Sequence, residues 1–175
     1  TLFPYTTLFR SPWAFGTVPC RRRRTAENRQ VGVATVAYMP LVTLLCGPAG
    51  AGKTTYALEL VAKGAHRLSM DEAVWADGWG EQQPPEARLV ELHDALKDDL
   101  RRALGEGRDV VVDLSLAARE VRDQWREVAT ELGATASLVV VTAPFEVLWQ
   151  RVQQRAGDHA NSVRLTREQL RNCVD

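Results

Sequence analysis

No apolar run in this 175-residue chain approaches the roughly 18 residues that a membrane-spanning helix needs. No charged segment followed by a cleavable apolar core marks a secretory signal. Cysteine is scarce: Cys20, Cys46 and Cys173 are odd in number and form no C-x-x-C pair. That argues against a disulfide framework and for a reduced, cytoplasmic setting. The histidines, His66, His93 and His159, have no metal-ligand spacing. Net charge is absent overall, with 22 basic and 22 acidic side chains, but the balance is uneven. Residues 1–38 hold six Arg and one Glu, so residues 39–175 carry 16 basic against 21 acidic groups, a net of −5. Such a mildly acidic unit gives no global reason to expect a nucleic-acid partner. There is no internal repeat and no second domain, and the length suits one domain.

The two ends differ from the middle. The first eleven residues, TLFPYTTLFRS, look like the translation of a short-read sequencing adapter. Residues 12–38 include an arginine run at 21–24 and show neither helical nor strand period. Residues 1–38 therefore read as a non-native leader, with Met39 as the natural start of a domain covering 39–175. At the other end, LTREQLRNCVD opens a helix, with Thr166 and Gln169 spaced as a capping box, and then stops. A domain incomplete at its C-terminus is expected.

Between the ends, strand and helix signals alternate. LVTLLC (41–46) is a continuous apolar run, as in a strand buried on both faces. KTTYALELVAKG (53–64) puts Ala57, Leu58, Leu60 and Val61 on one helical stripe, ended by Gly64. HRLS (66–69) reads as a second strand, and SMDE (69–72), with capping-box spacing, opens a short helix. DGWGEQQPP (77–85) is a loop; Trp75 and Trp79 flank it and could wall a pocket or join the core. Leu89, Leu92, Leu96, Leu100 and Leu104 mark one face of a long helix. DVVVDLS (109–115) and ASLVVVTA (136–143) are further buried strands. The helix between them shows Val121, Trp125, Val128 and Leu132. After the last strand, Pro144 at a first helical position starts a helix with Phe145, Leu148, Trp149 and Val152 on its apolar face. This alternation predicts an α/β fold, a parallel sheet with helices on both faces.

The segment LLCGPAGAGKTT (44–55) contains G-x-x-x-x-G-K-[ST] between a buried strand and a helix, the context that gives this phosphate-binding P-loop its meaning. Glycines let successive N–H groups face a phosphate, and the helix N-terminus adds positive charge. Gly47, Pro48, Ala49, Gly50, Ala51, Gly52, Lys53, Thr54 and Thr55 are thus expected to hold ATP. Lys53 would reach the β- and γ-phosphates, and Thr54 would hold Mg2+. Asp71 follows the second strand, where ligand groups of open α/β sheets gather, and could take the proton of an attacking hydroxyl. Its plainer role is to decorate a helix N-terminus, with Glu72 as the capping partner of Ser69. Asp113 ends an apolar strand, the usual second Mg2+ element. Leu114 follows it, where motor ATPases commonly carry a water-polarising Glu.

Arg151 and Arg155 are one helical turn apart, and the polar run QRVQQRAGDHANSVRLT suggests a lid whose arginines close over the phosphate. A solvated helix face is the alternative. Arg119 and Arg122, after VVVDLS, could meet an anionic substrate.

GPAGAGKTT, LSMDEAVW, VVVDLSLAAREVRDQW and APFEVLWQRVQQR occur in this order. Together they resemble small bacterial P-loop kinases of the zeta-toxin and chloramphenicol-phosphotransferase type, often labelled AAA-domain ATP-binding proteins. The resemblance covers Met39 to about Leu170. It implies a P-loop NTPase sheet of order 2-3-1-4 with a fifth strand missing, Asp71 as base, and Arg151 and Arg155 on phosphates. Leu114 and Leu116 depart from the usual small or polar residues, which leaves the acceptor open. The expected activity is ATP-dependent transfer of the γ-phosphate to a small-molecule hydroxyl. A polynucleotide 5′-hydroxyl kinase, a nucleotide-sugar-phosphorylating toxin and a non-catalytic ATP-binding module remain alternatives.

Overall fold

A computed structural model of the chain describes residues 38–80, 82–114, 116–154, 160 and 165–174. The leader, Ser115, Arg155 and most of the expected lid lie outside the described residues. Four strands, β1 (Leu41–Cys46), β2 (His66–Ser69), β3 (Val110–Asp113) and β4 (Thr135–Val140), form one sheet of order β2-β3-β1-β4. All three pairings are parallel. In register, Leu68 lies opposite Val112, Val112 opposite Leu44, and Leu44 opposite Leu138. The carboxyl ends of all four strands therefore share one edge.

Side-chain alternation divides the sheet into two dry faces. Val42, Leu44, Leu68, Val110 and Val112 point to one side, where α3 (Glu86–Gly105) contributes Leu100, Ala103 and Leu104 and α4 (Arg119–Glu131) contributes Trp125 and Ala129. Leu45, Val111 and Val139 point to the other, covered by Ala57, Tyr56 and Leu60 of α1 (Lys53–Val61). Each fully buried leucine contributes about 2 kcal/mol to this packing. A third cluster joins Ala51 of the glycine-rich loop to Leu148 and Val152 of α5 (Phe145–Gln154) and Leu170 of α6 (Arg167–Arg171).

Several local expectations need correction. Leu58 and Val61 are 52% and 39% exposed, because Ala57, with Tyr56 and Leu60 beside it, carries the contact of α1 with the sheet. Leu132 is exposed too, just past the end of α4, while Ala129 takes the buried place. Strand β3 is shorter than read, and β4 spans 135–140 rather than 136–143. Pro144 precedes α5 instead of opening it; its carbonyl accepts the first turn's bonds from Val147 (2.9 Å) and Leu148 (3.1 Å). The Thr166–Gln169 capping box is formed in both directions.

Candidate active site

The glycine-rich loop leaves β1 at the carboxyl edge and runs directly into α1. Gly47 (φ 142°) and Gly50 (φ 82°) adopt backbone angles that side chains disfavour, and neither has room for one. A Cβ on Gly47 would lie 2.1 Å from the Val141 carbonyl oxygen, and one on Gly50 would lie 2.8 Å from that of Leu148. The loop is thus pressed against the end of β4 and against α5. Gly52 (φ 107°) has nothing within 4 Å of where a Cβ would lie, so space is open beside the loop at this point. Lys53, Thr54 and Thr55 form the first turn of α1, whose N–H groups have no acceptor within the helix and point outward at its positive end. Lys53 Nζ donates to the carbonyls of Gly47 (2.8 Å) and Pro48 (3.0 Å), so its ammonium lies against the start of the loop. Pro48 and Ala49 are half-buried beside it.

Arg151, on α5, donates to the carbonyls of Gly50 (3.1 Å) and Ala51 (3.5 Å). One of the two arginines expected on the lid thus bonds the loop's own carbonyls; the other, Arg155, lies outside the described residues. Asp71 stands in the first turn of α2 (Met70–Ala76), exposed and immediately past β2. The sheet order puts β2 two strand spacings, about 10 Å, from β1 along the same carboxyl edge. The cap of α2 is half of what its spacing suggested. Ser69 Oγ accepts from Glu72 N (3.4 Å), but the Glu72 carboxylate turns to Arg67.

Arg67 was not foreseen. Its side chain is 7% exposed and lies on β2, and its Nε and Nη2 donate to Asp113 Oδ2 at 3.0 and 2.7 Å. Nη2 also approaches Ser69 Oγ (3.4 Å), and Nη1 bonds the Glu72 carboxylate. Burial opposes its charge, but the bonds and attraction of Asp113 and Glu72 outweigh that and hold the guanidinium above its usual range. An Arg inside a four-residue strand was the available signal, since a buried guanidinium demands a carboxylate.

Asp113 is 5% exposed at the end of β3, and both bonds from Arg67 fall on Oδ2, not Oδ1. Thr54 and Asp113 are hard oxygen donors, the type Mg2+ takes together with phosphate and water. Their chemistry fits that ion, although among the described residues no group of three or more His, Cys, Asp or Glu could hold a metal alone. Arg122 donates to the carbonyls of Leu116 (2.7 Å) and Ala117 (2.6 Å), pinning the segment after β3. Arg119 is solvent-facing and pairs with Asp123 at 3.4 Å. Trp79 Nε1 donates to Asp77 (3.0 Å), and Arg88 of α3 also bonds Asp77, so this carboxylate joins the indole to the start of α3.

Residues 42–175 match the family described as AAA domain. The chain belongs to that family. No curated protein matches the sequence of this AAA domain. Among solved structures, it superposes on a chain of the Pnkp1/Rnl/Hen1 RNA repair complex with TM-score 0.61 at 18% identity, covering 78% of this chain and 46% of that one. The AAA domain thus spans less than half the length of that relative. The APS kinase CysC of Mycobacterium tuberculosis, in complex with AMPPNP and APS, gives TM-score 0.53 at 22% identity, over 66% of this chain and 70% of that one. A sugar kinase from Janibacter sp. HTCC2649 gives 0.53 at 20%, over 78% and 79%. At these identities the likeness is one of fold alone, the parallel sheet of order β2-β3-β1-β4 flanked by helices. Among the described residues no helix is long and apolar enough to cross a membrane.

Proposed function

We propose that this AAA domain is an ATP-dependent phosphotransferase that moves the γ-phosphoryl group of ATP to a hydroxyl of a small molecule. The observation that carries the reading is the loop 47–55. Two of its glycines are jammed against Val141 and α5, its third faces open space, and it runs into the N-terminus of a helix whose first residue, Lys53, bonds back to the carbonyls at the loop's start. Such a cradle recognises a triphosphate tail through main-chain donors, which bind oxygen without needing to reorganise.

In this reading Lys53 exchanges the carbonyls of Gly47 and Pro48 for the β- and γ-phosphate oxygens. Thr54 and Asp113 are the groups that would hold Mg2+, which supplies charge neutralisation on the phosphates when bound. Asp71 orients the acceptor and takes its proton as the new P–O bond forms and the bond to the bridging β–γ oxygen breaks. Arg151 keeps the loop in shape through its bonds to Gly50 and Ala51, Arg155 supplies charge from the lid, and Arg119 meets an anionic part of the acceptor. Arg122, already bonded to two carbonyls, would position that side of the site. Loose phosphoryl transition states depend mainly on such positioning and electrostatics.

The test is a transfer assay with γ-labelled ATP against sugars, antibiotics, nucleosides, nucleotide-sugars and 5′-hydroxyl oligonucleotides. Asp71→Asn should lower transfer by about 10²–10⁴-fold, the usual contribution of a general base, with ATP affinity little changed. Near wild-type transfer by that variant would remove Asp71 from the mechanism. Exclusive use of oligonucleotides would move the acceptor class to nucleic-acid ends.

A further inference from the structure

We propose that Arg67 is a positioning residue that ties the acceptor-side helix α2 to the end of β3, so that Asp71 is held in a fixed relation to Asp113. The inference rests on the phosphotransferase reading and names the device that would align its two carboxylates. The juxtaposition is specific. One guanidinium, nearly dry, spends Nε and Nη2 on Asp113 Oδ2, brings Nη2 near the hydroxyl that caps α2, and gives Nη1 to Glu72. Asp71 lies between those two α2 anchors, Ser69 and Glu72. The turn that carries it is thus bonded to Arg67 on both sides of it.

The geometry of β2 explains how a strand residue reaches this far. Arg67 pairs in register with Val111 and lies on the same face, so its side chain runs up the sheet to Asp113, two residues nearer the carboxyl edge. Arginine suits the task because its rigid planar fork serves several acceptors at once, which a lysine ammonium on a flexible stem cannot do with the same geometry. The Glu72 arm of the network is its solvent-facing side, at 54% exposure, while the Asp113 arm is buried. The two arms can thus be cut separately.

Glu72→Gln is the informative variant, because it releases α2 and leaves the buried pair intact. Amide hydrogen exchange over residues 70–76 should rise roughly fivefold or more, with β1 and β3 unchanged. The kcat for transfer should fall about ten- to a hundredfold, as misplacement of a reacting group by about 1 Å does, with KM for ATP unchanged. Arg67→Lys keeps a cation beside Asp113 and should fold. It should show the same split between kcat and KM and recover more turnover than Arg67→Gln. If Glu72→Gln leaves either the exchange of α2 or the kcat at wild-type values while Asp71→Asn is inactive, the inference falls and the proposed function stands. A wild-type protein that phosphorylates no acceptor overturns the proposed function, and this inference with it.

Discussion

Gly47 and Gly52 occupy one loop and carry the same unusual backbone sign, yet their replacement should cost different amounts for different reasons. At both positions an alanine must adopt a positive φ, 142° and 107° respectively, at a cost of about 1–2 kcal/mol. Gly52→Ala adds no clash, since its Cβ meets nothing within 4 Å. Gly47→Ala puts its Cβ 2.1 Å from the Val141 carbonyl oxygen, a backbone atom of the residue that also donates its N–H to Cys46 at 2.8 Å. Relief requires separating the loop from Val141, just past β4, an overpacking cost of about 1–3 kcal/mol. The totals are about 2–5 kcal/mol for Gly47→Ala and about 1–2 kcal/mol for Gly52→Ala. At about 4 °C per kcal/mol for a domain of this size, thermal unfolding followed by circular dichroism should show drops of about 8–20 °C and 4–8 °C. Gly52→Ala, with a methyl group in the open space beside the loop, should lose ATP affinity out of proportion to its stability. A Gly52→Ala protein as destabilised as Gly47→Ala would refute the reasoning, since only the contact with Val141 separates them.

Three further measurements probe the surroundings. Asp113→Asn and Arg67→Met should each destabilise by about 3–5 kcal/mol, because each strands a buried charge, while the double variant should cost less than the sum in urea unfolding. His93 packs edge-to-face on Trp125 at 5.3 Å, and burial, then the charge of Lys97, push its pKa below the ordinary 6.5. Its neutral form is favoured by folding, so its contribution is present above pH 6.5 and lost as pH falls through the depressed value; His93→Gln should flatten the stability profile in that acidic window. Thr166→Ala removes the acceptor for Gln169 N and should cost about 1 kcal/mol, read as a lower melting temperature.

What the chain announces on its own is whatever depends on neighbours in sequence. The apolar run 41–46 and the segment 66–69 have the observed bounds of β1 and β2, and the leucine series from 89 to 104 lies on α3 as its period requires. The loop 47–55 was legible because its glycines, lysine and threonine act within one turn of backbone, and the Thr166 box because its partners are three residues apart. The tertiary structure decided the rest, for reasons that sequence period does not contain. Periodicity marks a helix face but not how much of it a neighbour covers, so Leu58 and Val61 match the stripe and remain exposed. The Glu72 carboxylate had a local partner available and took Arg67 instead. Arg67 and Asp113 meet across 46 residues only because β2 and β3 pair in parallel. A buried guanidinium needs a carboxylate, and the pairing of strands determines which one it finds.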